Sequence, residues 1–261
     1  LADCSLIYFF NKEKVLFLCK IESITKNIDN MDELLKMVTA KATEWLSESF
    51  DADTRAEVKA MLDNEDKSNL IDAFYKDLEF GTGGLRGTMG AGTNRMNIYT
   101  VGMATQGLAN YLNINFKDLE QISVVVGHDC RNNGRLYAET VANIFSANGI
   151  KVYLFDDLRP TPEVSYAVRY LGCQSGVNVT ASHNPKEYNG YKAYGPDGCQ
   201  MTDDAADIVY AEIQKTDILN GAELISFEEG LEKGLIEYVG DDCKEALYDA
   251  IKSRSVRPGL C

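Results

Sequence analysis

The chain has 261 residues, of which 45% are hydrophobic and 25% charged, and its formal net charge is −14 at pH 7. These values are ordinary for a folded protein with a core of normal depth. The negative charge argues against nucleic acid or an anionic membrane as a partner, because either needs a basic protein face. A small phosphate ligand is still allowed, since a few local cations can bind it.

The seven cysteines are scattered along the chain, are odd in number and form no Cys-x-x-Cys pair. This pattern is typical of reduced thiols in a cytosolic protein, rather than of a disulfide framework or a zinc site. We therefore predict a cytoplasmic location.

Residues 1–30 differ in composition from those that follow. Lys12, Glu13 and Lys14 interrupt the apolar run SLIYFFNKEKVLFLC. The run is therefore well short of the roughly 20 residues that a membrane helix needs, and it lacks the cleavage site of a signal peptide. We expect residues 1–30 to be an upstream or non-native extension, with Met31 as the natural start.

The next segment, residues 31–75, is predicted to be helical. Apolar residues recur at helical spacing over 31–49, and a second helical pattern covers 52–62. The glycine-dense segment FGTGGLRGTMGAGTNR (80–95) follows, and another amphipathic helix comes after it.

From there the sequence alternates between strands and helices. The runs ISVVV (122–126), KVYLF (151–155) and SGVNVT (175–180) are typical of buried strands, and amphipathic helices separate them. Such alternation predicts right-handed crossovers and a largely parallel sheet that is covered by helices on both faces. We predict an α/β fold, a three-layer α/β/α domain over residues 76–220.

After Gly234 a short strand pattern leads into one more helical pattern. One strand and one helix cannot close a core. We therefore interpret residues 221–261 as a linker and the incomplete start of a second α/β domain.

Three polar loops follow the predicted strands: GHDCRNNGR, DDLRPTP and ASHNPKEYNGYK. Ligands of such sheets bind beyond the carboxyl ends of the strands. In the third loop, Ser182 is followed by His183, and Lys186 and Lys192 lie farther on, so a base and phosphate-stabilising cations are at hand. The alternative is a surface turn, because serine, asparagine, proline and glycine are also ordinary turn residues.

The glycines of GTGGLRG (81–87) would let backbone N–H groups approach an anion, and Arg86 could add a bidentate contact. The segment has neither Walker spacing nor the dinucleotide fingerprint. A flexible connector is therefore the alternative. In GHDCR, the residues His128, Asp129 and Arg131 allow either a ligand site or a strand-end salt bridge.

Taken in order, these motifs resemble those of the α-D-phosphohexomutases. The resemblance rests on TASHNP with NGYK downstream, on FGTGGLRG upstream and on VGHDCR between them. The longer run EFGTGGLRGTMGAGTNRMN is similar to the phosphoglucomutase/phosphopentomutase branch. The similarity extends from Met31 to about Ser253 and covers only the amino-terminal part of that family's four domains.

The resemblance implies a site around Ser182. This serine would carry a phosphoryl group, pass it to a sugar monophosphate to give a bisphosphate, and take back the other phosphate. A lysine acting as base there would need a pKa well below its usual value of about 10.4. The other residues implied are His183, Lys192 and Arg86 for catalysis, and Thr82, Gly83, Asn184 and Arg131 for substrate binding.

The resemblance also implies Mg²⁺ and a sugar 1,6-bisphosphate activator as cofactors. Of the metal ligands, only Ser182, through its phosphate, lies in this chain, because the family's Asp-x-Asp-x-Asp-Arg loop is absent. A hard cation takes several oxygen ligands, so we expect the fragment alone to be inactive. The predicted partners are small sugar phosphates, with no nucleic acid and no membrane.

An alternative function from another class is a non-catalytic domain that binds phosphosugars or a protein partner. Ser182→Ala in the complete protein distinguishes the two, since only a mutase loses activity. A nucleotide-binding domain is disfavoured by the missing phosphate-loop patterns. In the family, the choice among glucose, mannose and pentose depends on loops of later domains.

Overall fold

The computed structural model describes residues 31–81 and 83–257. The chain divides into two compact units, with the boundary between Tyr75 and Lys76, where the predicted helical segment ends. The prediction for residues 1–30 lies outside the described residues, as does the one for Thr82.

The first unit is helical. Residues 31–44 form α1, and they are followed by α2 (Ala52–Asp63) and α3 (Ser68–Phe74). Asp51 caps α2, because its side chain accepts a hydrogen bond of 2.9 Å from Thr54 N. Trp45 stacks on Phe50 and meets the ring of Phe74 edge-on. The sequence pattern predicts the first two helices but not α3.

The second unit contains the predicted sheet. Its strands are β1 (Gly84–Thr88), β2 (Ser123–His128), β3 (Lys151–Leu154), β4 (Ser175–Val179), β5 (Tyr188–Tyr194) and β6 (Ile236–Tyr238). Its helices are α4 (Ile98–Asn115), α5 (Gly134–Ala147), α6 (Thr161–Tyr170), α7 (Asp203–Ile213), α8 (Phe227–Glu232) and α9 (Asp241–Lys252). Among the described helices, none has the length and apolar character needed to cross a bilayer.

The sheet has the strand order β1-β5-β4-β2-β3-β6. β2 pairs in parallel with β3 and β4, and β3 pairs in parallel with β6. β5 runs antiparallel to both β4 and β1, because the loop between β4 and β5 is too short for a crossover helix. The prediction of a largely parallel sheet is confirmed.

Helices cover both faces of this sheet. Val124 and Val126 of β2 lie in a core with residues of α4, α5 and α7. The residue between them, Val125, points to the other face, where it packs with Val164 of α6 and Cys243 of α9. The three-layer α/β/α architecture is therefore also confirmed.

The stretch that we expected to begin a second domain joins this same sheet. Ile236 of β6 pairs with Val152 of β3, and α9 packs on the face that α6 covers. A three-residue strand cannot form a core alone, and the edge of β3 offers it unpaired N–H and C=O groups. The expected domain start at residue 221 is therefore part of the second unit, and any later domain boundary stays a prediction.

Candidate functional site

The candidate site lies where the strand order reverses. From β2 the chain crosses through α5 to β3 on one side, and then through α6 to β4 on the other side of β2. α5 and α6 lie on opposite faces of the sheet, so the loops after β2 and β4 diverge. Open α/β sheets bind ligands in such a crevice. Here it is bordered by residues 129–133 and by residues 180–187, which we name the serine loop.

Ser182 has an unusual backbone conformation within the serine loop. Its φ is +56°, a left-handed value that costs a non-glycine residue roughly 1–2 kcal/mol. The side chain is exposed, and its Oγ lies 3.3 Å from Nδ1 of His183. Ser182 is the second residue of a turn in which Asn184 N donates to Ala181 O, and a further turn follows in which Tyr188 N donates to Pro185 O. The hydroxyl is thus presented to the crevice by a bent and hydrogen-bonded segment.

Arg131 binds four main-chain oxygens, three in the serine loop and one at the first residue of β5. Its Nη2 donates to Ser182 O at 2.7 Å and to Asn184 O at 2.8 Å. Its Nη1 donates to Pro185 O and Tyr188 O, both at 2.9 Å. The side chain is only 10% exposed. We predicted Arg131 as a substrate-binding residue, and the polar contacts of its side chain among the described residues are with the loop, with Tyr188 and with Asp129.

Asp129 links Arg131 to the serine loop from the same side. Its Oδ2 accepts a very short hydrogen bond from the Thr180 hydroxyl, and Thr180 Oγ1 in turn accepts one from Ser182 N at 3.0 Å. Its Oδ1 accepts from Arg131 N at 3.1 Å, and Arg131 Nε lies 3.8 Å from Oδ2. Of the three residues noted in GHDCR, Asp129 and Arg131 border the crevice, whereas His128 is buried.

Two cationic side chains share the sheet face beside this loop. In the β1–β5 register Arg86 lies opposite Gly190, and Gly84 lies opposite Lys192. Directly opposed residues of an antiparallel pair point to the same face. Thr180 N donates to Gly190 O, so Gly190, which has no side chain, separates Arg86 from Thr180. Within the part of the chain that the structure describes, the side chains of Arg86 and Lys192 have no hydrogen-bond or ion-pair partner.

The pKa of Lys192 is lowered from its usual value. Burial is the largest cause, the positive charge of Arg86 adds to it, and the carboxylate of Asp129 opposes it. A base needs this direction of shift, because only the neutral amine accepts a proton. The exposed guanidinium of Arg86 thus adds positive charge to this face and disfavours protonation of Lys192.

Gly81, Gly83 and Gly84 lie at the start of β1. Gly81 and Gly84 exchange hydrogen bonds of 2.9 and 3.0 Å between their main chains, and Gly83 has a φ of +79°. A Cβ on Gly84 would lie 1.7 Å from Tyr191 O, so its glycine is required by the close approach of β5. Gly83 lies beside β5, because its carbonyl accepts a hydrogen bond from Ala193 N, one residue after Lys192.

The described residues do not form a complete site for Mg²⁺. No group of three or more His, Cys, Asp or Glu side chains with metal-binding geometry occurs between residues 31 and 257, Thr82 aside. In the crevice, both oxygens of the Asp129 carboxylate already accept hydrogen bonds. A phosphate on Ser182 would supply one oxygen, whereas such a cation takes about six ligands. The described residues alone therefore cannot hold the metal.

The structure thus brings together most of the predicted residues. Ser182, His183, Asn184 and Arg131 meet in the crevice, and Arg86 and Lys192 share the adjacent sheet face. The sequence analysis missed the role of Thr180, whose buried hydroxyl joins Asp129 to Ser182. A threonine two residues before the candidate serine is a side-chain-to-backbone turn signal that could have identified it.

Comparison with known proteins identifies the family. Residues 77–219, more than half of the chain, match the model of phosphoglucomutase/phosphomannomutase, alpha/beta/alpha domain I. A phosphoglucomutase of Staphylococcus haemolyticus is 39% identical over 194 residues, covering 74% of this chain and 34% of that protein. A phosphopentomutase of Mus musculus is 41% identical over 177 residues, covering 66% of this chain and 28% of that protein.

Solved structures show the same fold. A candidate phosphomannomutase of Thermus thermophilus has a TM-score of 0.55 and 26% identity, covering 68% of this chain and 36% of that one. A phosphoglucomutase/phosphomannomutase family protein of Burkholderia thailandensis has a TM-score of 0.51 and 21% identity, covering 67% and 35%. The chain spans about a third of the length of the curated relatives it matches. It belongs to the phosphoglucomutase/phosphomannomutase family, and residues 77–219 are its α/β/α domain I.

Proposed function

We propose that this chain is the phosphoryl-carrying part of a phosphosugar mutase of the phosphoglucomutase/phosphopentomutase type, and that Ser182 carries the phosphoryl group. The observation that carries the proposal is the position of Ser182. Its exposed hydroxyl stands in the crevice where the strand order reverses, beside a sheet face that bears two cations. Membership of the family supports the class of reaction.

The proposed reaction consists of two phosphoryl transfers. In the first, the bond between phosphorus and Ser182 Oγ breaks and a bond from phosphorus to a sugar hydroxyl oxygen forms, giving a sugar bisphosphate. The proton of that hydroxyl passes to a base and Ser182 regains its own hydroxyl proton. In the second transfer, Ser182 Oγ gives its proton to a base and bonds the phosphorus of the other phosphoryl group, the bond from that phosphorus to the sugar oxygen breaks, and the sugar oxygen receives a proton.

Lys192 and Arg86 have the properties that these steps need. Burial and the Arg86 charge lower the pKa of Lys192, which favours a neutral amine that accepts the proton of the sugar hydroxyl. Arg86 is exposed and provides a planar pair of donors for phosphate oxygens. His183, whose Nδ1 lies 3.3 Å from Ser182 Oγ, orients the serine. Asn184 Oδ1, which is buried and has no partner among the described residues, is an acceptor for a sugar hydroxyl.

The proposal extends to the cofactors and the setting of the complete protein. Mg²⁺ would stabilise charge on the transferred phosphoryl group, a phosphate on Ser182 would supply one of its oxygen ligands, and we expect the other ligands to come from the rest of the complete protein. A sugar 1,6-bisphosphate serves as activator, because it can load Ser182 with phosphate. Sugar phosphates are the proposed substrates, and the cytoplasm, where thiols stay reduced, is the proposed location.

The test is Ser182→Ala in the complete protein, assayed for conversion of sugar 1-phosphates. We expect activity to fall by a factor on the order of 10⁴ or more, because the covalent carrier is removed. Ser253→Ala is the matched control, since this serine is exposed and its hydroxyl bonds only the neighbouring Ala250 O. Activity of Ser182→Ala equal to that of the control would leave the non-catalytic binding domain as the better interpretation.

A further inference from the structure

The residue types of the serine loop do not explain why Ser182 has a positive φ. The loop contains no glycine, and its only proline, Pro185, lies three residues farther on. A left-handed residue that is neither glycine nor asparagine persists only when its surroundings hold it. The turn bond from Asn184 N to Ala181 O bends the chain at Ser182, and contacts from outside the loop add to it.

We infer that the loop after β2 fixes the backbone of Ser182 on both sides, with Arg131 binding its carbonyl oxygen and Asp129 holding its amide through Thr180. Arg131 and Asp129 are then positioning residues for the phosphoryl carrier. This inference rests on the proposed function for its catalytic meaning, but the fixation itself is a property of the loop.

The contacts of Arg131 match the capacity of its guanidinium. The two terminal nitrogens carry four N–H donors, and each of the four finds one main-chain carbonyl, three in the serine loop and one at Tyr188, the first residue of β5, at 2.7 to 2.9 Å. The remaining Nε faces the Asp129 carboxylate at 3.8 Å. A substrate phosphate would have to displace one of these bonds, so the geometry favours a role in holding the loop over a substrate contact. We call Arg131 and Asp129, with their bonds to the loop, the clamp.

Asp129 gives the clamp its second arm. Its carboxylate accepts from the Thr180 hydroxyl and from Arg131 N, so it couples the two residues that hold Ser182. The Thr180 hydroxyl is buried and is oriented by its donation to Asp129, which leaves its oxygen to accept from Ser182 N. Hydrogen bonds to charged groups are stronger than neutral ones, and phosphoryl transfer depends mainly on such positioning.

The first test is Arg131→Lys in this chain, with hydrogen exchange measured at the amides of Ser182, Asn184 and Tyr188. A lysine keeps the charge but has no planar fork for four carbonyls. We expect exchange at these three amides to accelerate about tenfold or more, because the loop opens locally. Arg159→Lys is the matched control, since Arg159 lies in the loop after β3 and pairs there with Asp156 and with Glu163 of α6. Protection within about twofold of the parent chain in Arg131→Lys would overturn the inference.

The second variant, Thr180→Val, separates the two arms. Valine is close to threonine in shape but has no hydroxyl, so Ser182 N loses its acceptor while Arg131 keeps its carbonyls. We expect faster exchange at Ser182 and unchanged protection at Tyr188. Unchanged exchange at Ser182 would show that the Asp129–Thr180 arm does not hold the amide.

The catalytic meaning is tested in the complete protein by the kinetics of Arg131→Lys. A positioning residue lowers kcat with little change in KM, whereas a residue that binds substrate raises KM. A raised KM with unchanged kcat would return Arg131 to substrate binding. If Ser182→Ala proves fully active, the proposed function fails while the exchange experiments still decide whether the clamp exists.

Discussion

The glycine-rich segment (80–95) and the serine loop (180–187) both read as polar turns with a cation nearby, yet the structure holds them by different means. The start of the glycine-rich segment is held by main-chain pairing, since β1 forms a full antiparallel ladder with β5. The serine loop makes few main-chain bonds of its own and is bound by side chains that lie about fifty residues earlier in the sequence.

The difference indicates where each region tolerates change. In the glycine-rich segment, the restraint is the absence of a Cβ where two strands approach closely. In the serine loop, the restraint is the presence of a charged fork and a bridging hydroxyl. A loss of stability is therefore the expected result of substitution in the first region, and a loss of positioning is the expected result in the second.

The largest expected effect comes from breaking the main-chain restraint with Gly84→Ala. The new Cβ would lie 1.7 Å from Tyr191 O, and the φ of +126° is unfavourable for alanine. We expect a loss of about 3 kcal/mol or more in the free energy of unfolding, measured by chemical denaturation. The control is Gly81→Ala, where no atom lies within 4 Å of the added Cβ. A change within about 0.5 kcal/mol is expected there, and equal losses in both variants would remove the proposed restraint.

Lys192 offers an intermediate effect, because it lies on β5 between the two regions. Lys192→Met removes the proposed base while keeping a long side chain on the strand. We expect kcat of the complete protein to fall by a factor on the order of 10², in steady-state assays with a sugar phosphate. Lys117→Met is a control at an exposed lysine just after α4. A rate of Lys192→Met within about threefold of wild type would exclude Lys192 as the base.

The smallest expected effect is the pH dependence of stability from the same residue. The folded-state pKa of Lys192 is below its unfolded value. Between these two values the unfolded chain binds a proton that the folded chain does not, so stability rises with pH in that window. Below it, the folded protein bears the cost of a partly buried cation beside Arg86.

Lys192→Met should therefore be slightly more stable than the parent at neutral pH and should lack the parent's rise in stability as pH approaches 10.5. Urea denaturation as a function of pH measures both quantities. Arg86→Met should reduce the rise without removing it, because burial is the larger cause of the shift. A rise that is equally steep in Lys192→Met and the parent would assign it to another group.

The sequence predicts the centre of this fold well and its edges less well. β2 and β4 are buried along nearly all of their length and β3 at every second residue, and their apolar-rich runs identify them without tertiary information. β1 contains Gly84 and Gly87, and its strand conformation depends on pairing with β5, which no local propensity reveals. β6 has only three residues and is defined by the free edge of β3.

The candidate site shows the same division. Ser182, Lys192 and Arg86 were found because they lie in recognisable motifs. The role of Thr180 and the position of Gly190 between Arg86 and Thr180 depend on strand register. The four contacts of Arg131 depend on how a distant loop folds. Residue type and order indicate the chemistry, whereas the restraint on the serine is a tertiary property.

The most direct test of the central claim is to identify the residue that becomes phosphorylated. The complete protein is incubated with a sugar 1,6-bisphosphate and Mg²⁺, digested, and its phosphopeptides are sequenced by tandem mass spectrometry. If Ser182 carries the phosphoryl group, the phosphate is found on the peptide that contains TASHNP, at Ser182, and it is lost on addition of sugar monophosphate. Phosphate on a different serine, or none on the protein, would contradict the claim.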